Sequence, residues 1–184
     1  MTNLLLDLFD HMQSADAAVW SAALKSPSAA ADAQLCKYLL HASSVQRAFL
    51  DAWKGRPFTF RDNFDAVHLD DELVAVRAYY PEARAFIADL DADALGGTMR
   101  LPWVGWIEQQ SKQTLAPTTL CETILQVISH STHHRAQANT RLRMVGAEPP
   151  MVDYIAWLWR GRPKPEWPSI TKVQSPKSKV QSSP

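Results

Sequence analysis

The chain has 184 residues, 46% of them hydrophobic and 21% charged, the make-up of one ordinary folded domain with a core of its own. Lys plus Arg balance Asp plus Glu at 19 each, so charge gives no case for nucleic acid or an anionic membrane as partner. The two cysteines, Cys36 and Cys121, form no CxxC and no disulfide framework, and no apolar run has membrane-spanning length or the form of a leader, so a soluble protein of the reducing cytoplasm is expected.

A first helix is predicted over residues 3–24, where Leu5, Leu8, Met12, Ala15, Val19 and Ala22 alternate by three and four. Lys25-Ser26-Pro27 ends it. A second helix over 28–54 presents Leu35, Tyr38, Ala42, Val45, Phe49 and Ala52, and Gly55-Arg56-Pro57 stops it. The short connection makes these two antiparallel neighbours. Residues 56–68 have no period and read as an irregular crossover. A third helix is predicted over 70–91, with Leu73, Val76, Tyr80, Ala83, Ile87 and Leu90 inward. Pro81 lies inside it, and an interior proline costs about 3 kcal/mol, so a kink or two helical pieces are expected.

Residues 96–113 differ in character. Thr98-Met99-Arg100-Leu101 and Val104-Gly105-Trp106-Ile107 read as short strands or an extended loop, with Trp103 and Trp106 as lids on the core. The longest element follows over 119–145. Thr119-x-x-Glu122 is a capping box, and Gly146 with Pro149-Pro150 is a stop. A short closing helix over 153–159 packs Tyr154, Ile155, Trp157 and Leu158. From residue 161 Pro, Lys, Ser and Gln dominate, and KVQSP at 172–176 nearly recurs as KVQSSP at 179–184. The domain is therefore placed at 1–160, and 161–184 is expected to be a disordered low-complexity tail.

The chemistry concentrates in the fourth long helix. His130, His134, Gln137 and Arg141 fall within a wedge of roughly 60°, which Thr123 and Val127 extend. A core-facing helix carries Leu or Val there, and each buried unpaired polar group costs about 1–3 kcal/mol. A metal ion would satisfy them. Imidazoles four residues apart stack about 5–6 Å apart at Cβ. Two such rings can converge on zinc at about 2.0–2.1 Å, and neutral imidazole also suits nickel, iron and copper. The HxxxH spacing is common in helices; the alignment of Gln137 and Arg141 with it favours a site. His133 lies to one side and reads as a solvent-touching flank. For a third ligand, position alone leaves His11 and His41 equal. His68, in the crossover, reads as solvent-facing or a cap. Asp7, Asp10 and Glu122 are candidate bases that read better as solvated surface. So do Arg47, Arg77 and Arg84, which form no basic stripe.

Leu39-Leu40-His41-Ala42-Ser43, then His130-Ser131-Thr132-His133-His134-Arg135-Ala136-Gln137, then the run from Leu142 through Gly146, Pro149 and Pro150 to Asp153, together resemble the DinB family of damage-inducible, YfiT-like metal-dependent proteins. The family usually reads His-Arg-Gly-Gln; Ala136 replaces the glycine here, and alanine is the better helix residue. The resemblance covers about 3–159 in element order and is most specific over 130–153. It implies an all-α four-helix bundle of up-down-down-up connectivity. Its crossovers would lie at 56–68 and 96–113, the latter an irregular or hairpin insertion before the fourth helix. It implies a divalent metal, zinc or nickel, on His41, His130 and His134, and a homodimer. Some relatives use low-molecular-weight thiols as cosubstrates, and many have no assigned activity.

The expected function is a metal-dependent hydrolase or thiol-dependent transferase acting on a small molecule through a three-histidine site with an open coordination position. Gln137 and Arg141 would support the ligands or orient substrate, Arg141 through an anionic group such as the carboxylate of a thiol. The rival is a non-catalytic stress-response or binding protein whose metal is structural, which a fourth ligand such as His11 or Cys121 would favour. A bundle with no metal, its histidines only hydrogen-bonded, ranks last. Neither nucleic acid nor membrane is expected as a partner.

Overall fold

The computed structural model describes residues 2–58, 64 and 67–169. Helix α1 (Thr2–Lys25) is followed by a single turn, α2 (Pro27–Ala30), and then α3 (Ala33–Trp53). The predicted second helix is thus broken near its start. Asp32 leaves the helical region (φ −80°, ψ 109°) and its carboxylate caps α3 by accepting from the Leu35 N–H at 2.8 Å. Proline at the first position of α2 and the Ser26 cap start that turn independently.

Helix α4 (Leu69–Ala88) runs through Pro81 as one helix, so the expected division there is not found. Pro81 and Arg77 both face solvent, where water can serve the carbonyl that the missing N–H leaves free. The helix ends at Ala88, and Asp91 caps the short α5 (Ala92–Gly96). Strand β1 (Thr98–Met99) pairs antiparallel with β2 (Thr118–Thr119), enclosing α6 (Val104–Ser111). The second expected strand is therefore helical. Trp103 does cover the core, its ring 4.9 Å from that of Phe49, but Trp106 is 64% exposed and covers nothing. Helix α7 (Leu120–Met144) starts on the expected capping box of Thr119 and Glu122. In α8 (Tyr154–Trp159), Ala156 and Trp157 are buried, whereas Ile155 faces outward.

The four long helices form a ring in which α1 and α3 each touch both α4 and α7. Cross-helix bonds fix their directions. Thr2 reaches the Leu90 carbonyl and Arg84 reaches Asp10, so α1 and α4 are antiparallel. Arg47 pairs with Glu82 while Trp53 stacks on Phe86, so α3 and α4 run together. Along α3 and α7 the Trp53 indole donates to Thr123, Gln46 to Ser131, and Arg141 to Asp32, an antiparallel seam. Phe9, Met12, Leu50, Tyr80, Ile87, Ile124 and Leu142 fill the centre.

The chain stays on the bundle beyond residue 160. Trp167 packs 5.5 Å from the Tyr80 ring, and the Ser21 hydroxyl donates to the Glu166 carbonyl at 3.0 Å. Residues 170–184, where the near-repeat falls, lie outside the described residues, as does most of the 56–68 crossover.

Replacing Pro81 by Ala should stabilise the fold by about 1–3 kcal/mol, since it restores a helical N–H at an exposed position and removes a poor helix former. Urea unfolding followed by circular dichroism checks this; an unchanged or lower midpoint would contradict it.

Candidate metal centre

The apolar stripe of α7 is Ile124, Val127, Ala138 and Leu142, with Ser131 and Arg135 buried among them. His130, His134, Gln137 and Arg141 do not point into that core, as the sequence pattern implied. They are half-buried on the flank of the helix that meets α3. The antiparallel seam brings His41 of α3 opposite them. The His41 ring centroid lies 5.2 Å from that of His130 and 4.7 Å from that of His134. The His130 and His134 rings are 4.4 Å apart, with their Nε2 atoms at 3.1 Å. One ring nitrogen from each of the three residues falls within 4.8 Å of the other two.

The cluster disfavours protons. Burial, then the neighbouring imidazoles of His134, His41 and His133, push the His130 pKa down to about 4. Burial and Lys37 lower that of His41. Burial and His41 lower that of His134, while the carboxamide of Gln137 opposes the shift. All three rings are therefore neutral near pH 7, the state in which imidazole ligates a metal. The Nδ1 atoms of His130 and His134 and the Oε1 of Gln137 are buried without a hydrogen-bond partner of good geometry among the described residues.

The other sequence candidates lie elsewhere. His11 is not a third member: its Nε2 is 2.9 Å from the Val152 carbonyl, and its ring packs on Tyr154 and Trp157. His133 is exposed at the edge of the cluster, 5.1 Å from the His134 ring, as expected of a flank. His68 occupies the N-cap position of α4 without a capping bond from its side chain. The Cys36 thiol donates to the Ala30 carbonyl, and neither cysteine joins the cluster. Asp7 pairs with Arg162, Asp10 with Arg84, and Glu122 closes the capping box. Arg47 is more than a solvated face, since it pairs with Glu82 and lies over the Tyr79 ring.

Arg141 is also committed. Its Nε and Nη2 hold the two oxygens of Asp32 at 2.8 and 2.6 Å, tying the end of α7 to the cap of α3. A shallow groove of about 440 Å³ is lined by Arg141 together with Gln34, Tyr38, His133, Gln137, Thr140 and Met144, beside the cluster but without any of its three histidines. A more voluminous cavity, about 1110 Å³, lies between α1 and the chain from Gly146 to Ser169 and includes His11 but none of the three clustered histidines.

A DinB family model matches residues 7–166.

The chain belongs to the DinB family.

The DinB match takes in His41, His130 and His134, and it runs past residue 160 as the packing of Trp167 does. No curated protein and no solved structure matches the chain.

A buried polar group that the periodicity did not single out lies behind the cluster. Asp16 and Arg135 form an ion pair at 2.7 Å with side chains 9% and 5% exposed. Each stands in the apolar stripe of its helix, opposite in sign to the other, and that coincidence was the available signal.

The depressed histidine pKa sets a pH dependence for metal-free protein. Unfolded histidine takes a proton near its ordinary value of 6.5 and folded His130 only near 4, so between these values the unfolded chain binds more protons. Stability should therefore be complete above pH 6.5 and fall as pH drops toward 4, most of it above pH 4.5, where the lowered carboxylate of Glu82 begins to contribute. Chelator-treated protein unfolded in urea at pH 7, 6 and 5 should show this decline, and His130→Gln should flatten it. Equal decline in the variant would contradict the assignment.

Proposed function

We propose that His41, His130 and His134 hold one divalent metal ion, and that the protein uses it as a metal-dependent hydrolase or a thiol-dependent transferase on a small molecule. The observation that carries this reading is the convergence of three neutral imidazole nitrogens within 4.8 Å. The donor set fits the ion. Bonds of about 2.0–2.1 Å at tetrahedral angles separate two nitrogens by about 3.3 Å, and the Nε2 atoms of His130 and His134 stand 3.1 Å apart. A proton on one ring is repelled by the others, whereas a divalent cation is shared by all three. Zinc and nickel both accept such ligands.

When bound, the ion supplies Lewis acidity toward a water, a thiol or a substrate carbonyl. Among the described residues the metal-capable group has three donors, whereas structural zinc sites have four. The half-exposed position of the rings also favours access from solvent, so the catalytic reading is preferred to a purely structural metal. Gln137 sits beside His134, where its carboxamide supports that ring as a ligand. Arg141 supports the same helical turn through Asp32. In this reading it anchors the site, and an anionic substrate would have to displace that carboxylate. The groove beside the cluster, with Gln34, Tyr38, Gln137 and Thr140 in its wall, suits a polar portion of the substrate. A low-molecular-weight thiol cosubstrate and a homodimer belong to the same proposal.

Natively expressed, untagged protein should carry about one divalent ion per chain by elemental analysis, and His130→Ala or His134→Ala should abolish it. Full metal content in both variants would contradict the site.

A further inference from the structure

Asp16 of α1 is a junction. Its Oδ1 accepts from Arg135 Nη1 of α7 at 2.7 Å. Its Oδ2 accepts from Gln46 Nε2 of α3 at 2.8 Å and from the Tyr80 hydroxyl of α4. Gln46 Nε2 also donates to Ser131 Oγ of α7 at 2.9 Å, and Arg135 Nη2 donates to Thr132 Oγ1 at 2.8 Å. Asp16, Gln46, Tyr80, Ser131 and Arg135 are all buried.

We propose that this network, acting through Gln46, Ser131 and Arg135, fixes the rotation of α7 against α3 and so positions His130 and His134 opposite His41. The proposal rests on the metal reading of those histidines and goes beyond it by naming the residues that set the geometry. Ser131 directly follows His130, and Arg135 directly follows His134. Each histidine on the flank thus has its neighbour held on the core side.

The physical need is one of tolerance. Side-chain tips lie about 5–6 Å from a helix axis, so a rotation of about 10° moves them about 1 Å. Metal–ligand distances tolerate about 0.2 Å. Apolar packing by Ile124, Val127 and Leu142 fastens α7 to the bundle, but such packing loses uniqueness before it loses stability. A directional network does not slide in that way. Stability alone is a poor reason for the network, because a buried ion pair often contributes no more than an apolar replacement of the same volume. These are positioning residues, since none of them belongs to the metal-capable group itself.

Asp16→Ala would leave the Arg135 charge buried and unpaired and is expected to unfold the chain. The informative variant is Gln46→Leu with Ser131→Ala, which leaves Asp16 bonded to Tyr80 and Arg135 and leaves no charge unpaired; Ser131→Ala alone is the milder form. Each full-length variant, shown folded by circular dichroism and a cooperative melt, is titrated with Co²⁺ alone and its visible absorption recorded. The double variant should bind Co²⁺ about 10–100-fold more weakly than the unaltered chain, with an altered band envelope. A folded double variant with unaltered affinity and spectrum would overturn the positioning role while leaving the metal reading intact. Failure of the unaltered chain to take up Co²⁺ would overturn both.

Discussion

Asp16 accepts hydrogen bonds from three other helices at once, and the rest of the bundle is arranged around that meeting. An ion pair in a core needs every lone pair and proton answered, and here Arg135, Gln46, Tyr80, Ser131 and Thr132 answer them. The ring of α1, α4, α3 and α7 places these groups within reach of one carboxylate. It also stacks the antiparallel seam of α3 and α7, with Trp53 and Thr123 at one end and Asp32 and Arg141 at the other. His41, His130 and His134 lie on that seam, so the core network and the histidine cluster share the same two helices.

The layering explains why the polar load of α7 is divided. Its core face carries Ser131 and Arg135, whose partners come from the protein. Its flank carries His130, His134 and Gln137, three of whose buried polar atoms have no partner among the described residues. Ser131 and Arg135 are answered within the protein, whereas those three flank atoms find no partner among the described residues. Half-burial lowers the histidine pKa values without closing the rings off from solvent, which suits a ligand set better than a structural one.

Much of the fold was legible because the long helices carry strong signals. The 3.6-residue periodicity of α1, α4 and α7 and the capping box at Thr119 located them to within a few residues. Legibility failed where a local side chain overruled a regular pattern. Asp32 breaks the second helix by capping the next one, a signal hidden by the alanines around it. Val104 to Ile107 has strand-like composition but folds as a helix between two paired strand fragments. The HxxxH pair was readable from spacing, whereas the choice of His41 over His11 needed the register between helices. The family resemblance implied it, and the seam brings His41 rather than His11 beside His130 and His134. The wedge was misjudged as core-facing because hydrophobicity alone does not say which edge of an apolar stripe meets a neighbouring helix. Asp16 and Arg135 escaped notice because a periodicity count discards single charges.

X-ray absorption at the metal edge of the zinc- or nickel-loaded full chain probes the histidine cluster most directly. The expected spectrum shows imidazole nitrogens at about 2.0–2.1 Å with their outer-ring scattering, reduced by one ring in His41→Ala. A first shell of sulfur near 2.3 Å, or of oxygen without imidazole scattering, would mean that the three rings do not share the ion.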